Sequence, residues 1–407
     1  MTTVRIGVFG LLGSGNLGND GSLEALLGYL RTDHPEAVVD ALCGGPESVT
    51  ARFGIPATRL HWYRGEYRTA SRTGAIAAKG LGKLVDVFRT AAWVRRHDVV
   101  IVPGMGVLEA TLPLRPWGFP YSLFLLCASG RLLRTRVALV GVGASAIGSR
   151  PTRALVRWSA RWAAYRSYRD ARSRDAMREM GVDTARDEVY PDLAFSLPTP
   201  DTGAPSGSPG TVCVGVMDFH GSNDDRARAE EIHRLYLDGT IRFVRTLVDE
   251  DRPVRLLTGD TCDASVVATI LDAVRSPLLT AAELSSLADL MKETARADAV
   301  VAVRYHNLIC ALKAGTPTLA LCYAAKSDAL MDRMGLAAYC HPASEVDADR
   351  LIEQFRALEK HSAQLRRTLA ERNLAAARQL EDQFAELTAA LFPTTDHKRA
   401  HARQETP

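Results

Sequence analysis

The chain has 407 residues, too many for one ordinary hydrophobic core, so two domains of roughly 150–200 residues are expected. Hydrophobic residues at 46% and charged residues at 24% exclude a disordered chain, and a net charge of +3 is too small for a nucleic-acid binder. Seven dispersed cysteines without a CxxC pair fit reduced thiols rather than a disulfide frame or a zinc site.

The N-terminus runs directly into an apolar segment with no signal-peptide pattern, and the longest apolar runs, such as Ser122 to Ser129, fall far short of the roughly 20 residues that span a bilayer. A cytoplasmic protein is expected. In the first half, Val4–Phe9, Val38–Leu42, Val99–Val102 and Val137–Val142 read as buried parallel strands; in the second, Val212–Val216, Val254–Leu257, Ala299–Val303 and Thr318–Leu321 repeat the pattern. Apolar strands alternating with helices predict an α/β protein built from doubly wound, Rossmann-like sheets. The Pro/Gly/Ser cluster at 198–210 reads as a linker between an N-terminal domain, 1–197, and a C-terminal domain, 211–392. Helical spacing from about Val346 to Leu391 closes the second domain, and the polar tail, 393–407, is expected to be disordered. Ligands in such sheets sit at the carboxyl ends of the strands.

The glycine-rich segment Gly10 to Gly21 follows the first strand, with a helix expected from about Ser22. Gly13, Gly15 and Gly18 formally match GxGxxG, with Asp40 near the end of the second strand, so a dinucleotide site stays open. The turn is long and polar, however, and Gly15, Asn16 and Asp20 suit contact with a sugar or an anion above a helix N-terminus. A second strand ends in Gly104 and Gly106, with Glu109 close behind, and an ordinary strand-to-helix turn reads equally well there.

Next comes Ser167-Tyr-Arg169-Asp170, where Asp170 suits a helix N-cap and Gly181 the stop after that helix. Arg169, at a strand end, suits either a carboxylate or phosphate fork or a brace against Asp170. Asp218 and His220 follow the first strand of the second half and are candidates for contact with an acceptor. In the segment Arg304-Tyr-His306, the imidazole stands at a helix start, where it can hold an anion or carry a proton at neutral pH. Lys326, one of seven lysines, lies on the loop after the next strand and can hold a phosphate.

Taken in order, these segments resemble the polysaccharide pyruvyl transferase family over roughly residues 4–336. The resemblance rests on the Gly13–Gly21 loop, Gly104 and Gly106, Ser167, Arg169 and Asp170 with Ser173, an Asp-x-Ala-Phe element (Asp192, Ala194, Phe195), Arg304 with His306, and Tyr323 with Lys326. It implies two Rossmann-like domains in a GT-B-like arrangement, phosphoenolpyruvate as donor and co-substrate, no cofactor, and no metal. It maps the donor site onto Arg169, His306 and Lys326, with His306 and Arg169 catalytic, and Arg304 adds a further cation there. Two departures, Asn19-Asp20 in the first loop and Met105 between two glycines, fall on the expected acceptor side. The acceptor is a saccharide or lipid-linked saccharide, contacted by Gly15, Asn16, Asp20, Gly104, Gly106, Glu109, Asp218 and His220.

Three other readings remain open at this point: a GT-B glycosyltransferase using a nucleotide sugar, a non-catalytic family member, and an NAD-dependent oxidoreductase. The basic stretch Arg68–Arg96, carrying Arg68, Arg72, Lys79, Lys83, Arg89, Arg95 and Arg96 among apolar residues, suits either a solvated helix face or peripheral contact with the inner face of an anionic membrane. A homo-oligomer is also allowed, and no nucleic-acid partner is expected.

Overall fold

The structure is a computed structural model that describes residues 3–63, 72–109, 116–199, 210–221 and 223–392. The expected linker, apart from 198, 199 and 210, and the expected tail lie outside those residues. Two parallel sheets are present, each the centre of its own compact unit.

The first sheet contains β1 (Arg5–Gly10), β2 (Val38–Cys43), β3 (Ala57–Arg59), β4 (Val99–Pro103), β5 (Arg136–Val142), β6 (Tyr165–Tyr168) and β7 (Glu188–Val189), in the order β3-β2-β1-β4-β5-β6-β7. The second contains β8 (Val212–Gly215), β9 (Val254–Leu257), β10 (Leu279–Ala281), β11 (Ala299–Ala302), β12 (Thr318–Cys322) and β13 (Cys340–Pro342), in the order β10-β9-β8-β11-β12-β13. Among the described residues, every pairing between these strands is parallel. The cause is in the central sequences. β4 and β11 are buried at every position, so both faces of each sheet need helices over them, and crossover helices force a parallel return.

Three boundaries differ from the sequence expectation. The first helix starts at Leu17, not near Ser22, because Asn16 caps it: Oδ1 accepts the backbone N–H of Gly18 at 3.1 Å and of Asn19 at 3.2 Å. The short segment Gly15–Gly21 belongs with the second unit rather than the N-terminal domain. Leu17 N–H donates to the carbonyl of Gly259, and Asn16 Nδ2 to Asp260 Oδ2 at 3.0 Å. At the other end, the helix Ser362–Leu391 does not stay wholly with the second domain; from Arg378 it packs in the first unit. There Gln383 Nε2 donates to the buried Ser167 Oγ at 2.8 Å, and Phe384 stacks on Tyr29 at 4.5 Å.

Asp40 lies in the middle of β2 and is tied to the helix Arg72–Val94 and the turn after it. Trp93 Nε1 donates to one carboxylate oxygen at 2.7 Å and His97 Nε2 meets the other at 3.0 Å. A dinucleotide-binding acid stands free at a strand's carboxyl end. Asp40 instead braces a helix.

Candidate functional site

In the second unit, β11 delivers Arg304 as the N-cap of the helix Tyr305–Lys313, which puts His306 in its first turn. The Tyr305 and His306 rings meet edge to face at 5.5 Å. From the neighbouring strand β12 the chain turns through Tyr323 into the helix Ala325–Arg333, and the Lys326 ammonium comes to rest over two rings, 5.6 Å from Tyr305 and 5.5 Å from Tyr323. Phe219, on the loop after β8, touches Tyr323 at 6.2 Å. Three parallel strands therefore bring His306, Lys326 and the Asp218–His220 loop to one sheet edge. Aromatic faces attract the ammonium and hold it in place. Gly18 completes this corner, since a Cβ there would run into the His306 ring.

Arg304 is turned the other way, toward Asp263. Nε and Nη2 fork onto this fully buried carboxylate at 3.0 and 2.5 Å. Asp263 also accepts the backbone N–H groups of Gly259, Asp260 and Asp218, each at 3.1 Å. Burial works against the Arg304 charge, but the hydrogen bonds and field of Asp263 outweigh it and raise the guanidinium pKa above its usual range. Arg304 thus locks the loops after β8, β9 and β11 together.

His220 Nε2 lies 3.0 Å from Asp218 Oδ1, and its ring stacks on His233 at 4.2 Å with 7° between the planes. His233 Nδ1 donates to the Phe219 carbonyl at 3.0 Å. Sequence reasoning did not pick out His233; it sits on the helix Ala229–Asp249 with no local motif around it. Among the described residues, two groups have donor atoms within 4.8 Å of one another, as a metal would need: Asp218, His220 and His233, and Cys322, Asp328 and Cys340.

In the first unit, β6 ends at Arg169, which is buried. Its guanidinium meets the buried carboxylates of Glu109, through Nη2, and of Asp192, through Nη1 at 3.5 Å. Gly143 lets this cluster pack, since a Cβ there would lie 2.6 Å from Nη2. Asp170 caps the helix Ala171–Glu179 by accepting from Ser173 N–H at 2.7 Å, as the sequence predicts, and Gly181 follows at φ +82°. Ser173 Oγ accepts from Ala144 N–H at 3.0 Å. Gly104 and Met105 both adopt left-handed backbone, at φ +54° and +62°. Glycine suits both positions, and Met105 holds the second at a cost of roughly 1 kcal/mol. Glu109, expected near an acceptor, is thus engaged with Arg169, and Asn16 is engaged in capping.

The sequence matches the polysaccharide pyruvyl transferase family over residues 16–324, which begins at the capping Asn16 and takes in Arg169, His306 and Tyr323. The chain belongs to the polysaccharide pyruvyl transferase family. Its matched segment ends two residues before Lys326. No curated protein matches the sequence. A UDP-N-acetylglucosamine 2-epimerase homologue from Listeria monocytogenes, so described only putatively, superposes with a TM-score of 0.62 at 11% identity, covering 95% of this chain and 96% of that one. The UDP-GlcNAc 2-epimerase of Neisseria meningitidis, solved with UDP-GlcNAc bound, gives 0.60 at 10% identity, covering 96% and 99%. MurG of Acinetobacter baumannii gives 0.51 at 13%, covering 92% and 95%. At such identities the likeness establishes the fold alone: this pyruvyl transferase family member has the α/β GT-B fold with a C-terminal helical segment.

Proposed function

We propose that the protein transfers the pyruvyl unit of phosphoenolpyruvate to a pair of hydroxyl groups on a glycan or lipid-linked saccharide, forming a cyclic ketal and releasing phosphate. The observation that carries the reading is the corner of the second unit where His306, at a helix N-terminus, and Lys326, over Tyr305 and Tyr323, share one sheet edge. Two cationic or protonatable groups and a helix dipole suit a small phosphorylated acid.

The chemistry follows from the donor. A proton added to the methylene carbon leaves cationic character at C2. One sugar hydroxyl oxygen bonds to C2, the C2–O bond to phosphate breaks, and a second hydroxyl closes the ketal. One hydroxyl proton balances the proton taken up by the methylene, and the other leaves with phosphate. His306 delivers the proton or binds the phosphate, and Lys326 neutralises the leaving group. Arg304, expected as a further donor cation, is forked onto Asp263 and braces the loop that carries His306, and Arg169 is the arginine that the family resemblance assigns to the donor. Asp218 and His220, hydrogen-bonded to each other, are suited to take a proton from an acceptor hydroxyl.

The test is incubation with phosphoenolpyruvate and a panel of lipid-linked and nitrophenyl sugars. A product heavier by one pyruvate less water, with stoichiometric phosphate, supports the reading; no such product from any sugar, with folded protein, counts against it. The GT-B likeness to nucleotide-sugar enzymes keeps one rival, a glycosyltransferase. Thermal stabilisation by UDP or CMP sugars but not by phosphoenolpyruvate would favour that rival. Asp40, held by Trp93 and His97, gives the NAD reading no support.

A further inference from the structure

On the helix Arg72–Val94 of the first unit, three large apolar side chains face outward: Leu81 is 55% exposed, Leu84 62% and Phe88 75%. Their spacing of three and four residues puts them on one stripe, opposite the buried Asp86, Thr90 and Trp93. Single exposed apolar residues are ordinary, but a contiguous stripe marks an interaction surface. Two exposed tryptophans lie on segments that pack against other sides of this helix or against its neighbour Tyr121. Trp62 packs against Gly82 and is 41% exposed. Trp117, 67% exposed, leans on Tyr121, whose hydroxyl donates to the Lys83 carbonyl at 3.2 Å and whose ring carries the Lys83 ammonium at 5.5 Å.

From Ala78 to Arg96 the segment is predominantly basic. Lys79, Lys83 and Arg89 lie on the helix and Arg95 and Arg96 just beyond it. From Ala78 onward the helix has one acid, Asp86, which is buried and held by Trp62 N–H at 2.8 Å, with His61 and Arg89 at 3.4 Å. Arg68 lies outside the described residues, as does the side chain of Arg72. No described helix is long and apolar enough to cross a membrane.

We infer that this face is a docking surface for an anionic lipid bilayer, with Leu81, Leu84 and Phe88 entering the acyl boundary and the two tryptophans at headgroup level. A protein partner would be served by the apolar stripe alone. The basic residues of the same helix and the exposed tryptophans on neighbouring segments are what a bilayer interface adds. The inference stands apart from the proposed chemistry; only its consequence, that a lipid-linked acceptor would be met at this face, rests on that reading.

The test is sedimentation of the full chain with phosphatidylglycerol/phosphatidylcholine vesicles at low salt, against phosphatidylcholine alone. We expect pelleting with the anionic vesicles only, release at high salt, and a blue shift of tryptophan fluorescence. The Leu84→Ser/Phe88→Ser double variant, both positions exposed and so expected to fold, should bind at least about tenfold more weakly. It should keep donor-dependent turnover of a water-soluble acceptor. Three results would each overturn the inference: wild-type protein that stays in the supernatant, a folded double variant that pellets like wild type, or a dimer that the double variant makes monomeric while vesicle binding is unchanged.

Discussion

Gly18 lies directly against His306: a Cβ at position 18 would overlap the imidazole, nearest to Nδ1, unless the ring shifted. The first turn of the helix Leu17–Asp33 therefore sets where that ring stands. Gly18→Ala should push the ring out of place and lower kcat/KM for phosphoenolpyruvate by about 10²-fold, close to the loss from His306→Ala. The double variant should be little worse than either single one, because both remove the same interaction. Steady-state kinetics with circular dichroism as a folding control decide it; full activity in a folded Gly18→Ala protein would detach His306 from the reaction.

The Lys326 ammonium lies over the faces of Tyr305 and Tyr323 at the carboxyl edge of the second sheet, where its charge can meet an anion bound at that edge. Lys326→Ala should raise the donor KM by about tenfold or more and change kcat less. Tyr305→Leu removes one of the faces and should produce a smaller effect in the same direction. Equal KM values for all three proteins would take Lys326 out of the donor site.

Arg169 differs in kind. It stands between the buried carboxylates of Glu109 and Asp192, so Arg169→Ala leaves both without its charge and should cost roughly 3–5 kcal/mol of stability. Activity must be read below the variant's melting transition, where we expect donor kcat/KM to fall by about 10²-fold as well. A cold, folded variant with near-normal turnover would leave Arg169 a purely structural brace.

All eight apolar strand segments singled out in the sequence are present, because near-continuous apolar runs are unmistakable in doubly covered sheets. Of the other five, β6 was foreseen only as the strand that ends at Arg169, and the four that escaped, β3, β7, β10 and β13, are the outermost of the two sheets. Each has two or three residues, with one side unpaired, too short to show a pattern. His306, Lys326 and Arg169 stood out through strand-end position and family resemblance. The partners that position them did not. Gly18 against His306, Asp263 under Arg304 and His233 on His220 join segments distant in sequence, and no local spacing encodes such pairs. The capping role of Asn16 was in principle legible, since an Asn before a helical run is a standard start signal. The glycines around it suggested a longer loop.

Acid should weaken the first unit through Asp40. Burial alone would raise its carboxyl, but hydrogen bonds from His97 and Trp93 and the field of His97 outweigh that and hold it below the ordinary 3.8. A depressed folded value means the unfolded chain binds the proton more readily, so the stabilisation is complete above the unfolded value and disappears as pH falls through the folded one. The urea midpoint should therefore drop below about pH 4, and Asp40→Asn should flatten that limb. An unchanged acid limb in Asp40→Asn would mean other carboxylates, such as the similarly depressed Asp86, carry it.

The Arg304–Asp263 pair allows a sharper test of what the second unit depends on. Asp263 is fully buried and accepts three backbone N–H groups besides the Arg304 fork, so Asp263→Ala strands all of those donors at once. A loss of roughly 3–5 kcal/mol is expected, which lowers Tm by roughly 10 °C for a unit of this size. Arg304→Met leaves the carboxylate its backbone donors but removes its countercharge, and should cost less. If the charge pair is the dominant loss, adding Arg304→Met to Asp263→Ala should recover part of the stability, because the buried guanidinium no longer lacks a partner. If the backbone donors dominate, the double variant should melt with Asp263→Ala. Calorimetry on the three proteins separates the two, and wild-type stability in Asp263→Ala would remove the pair as the clamp on the loops that carry His306 and Asp218.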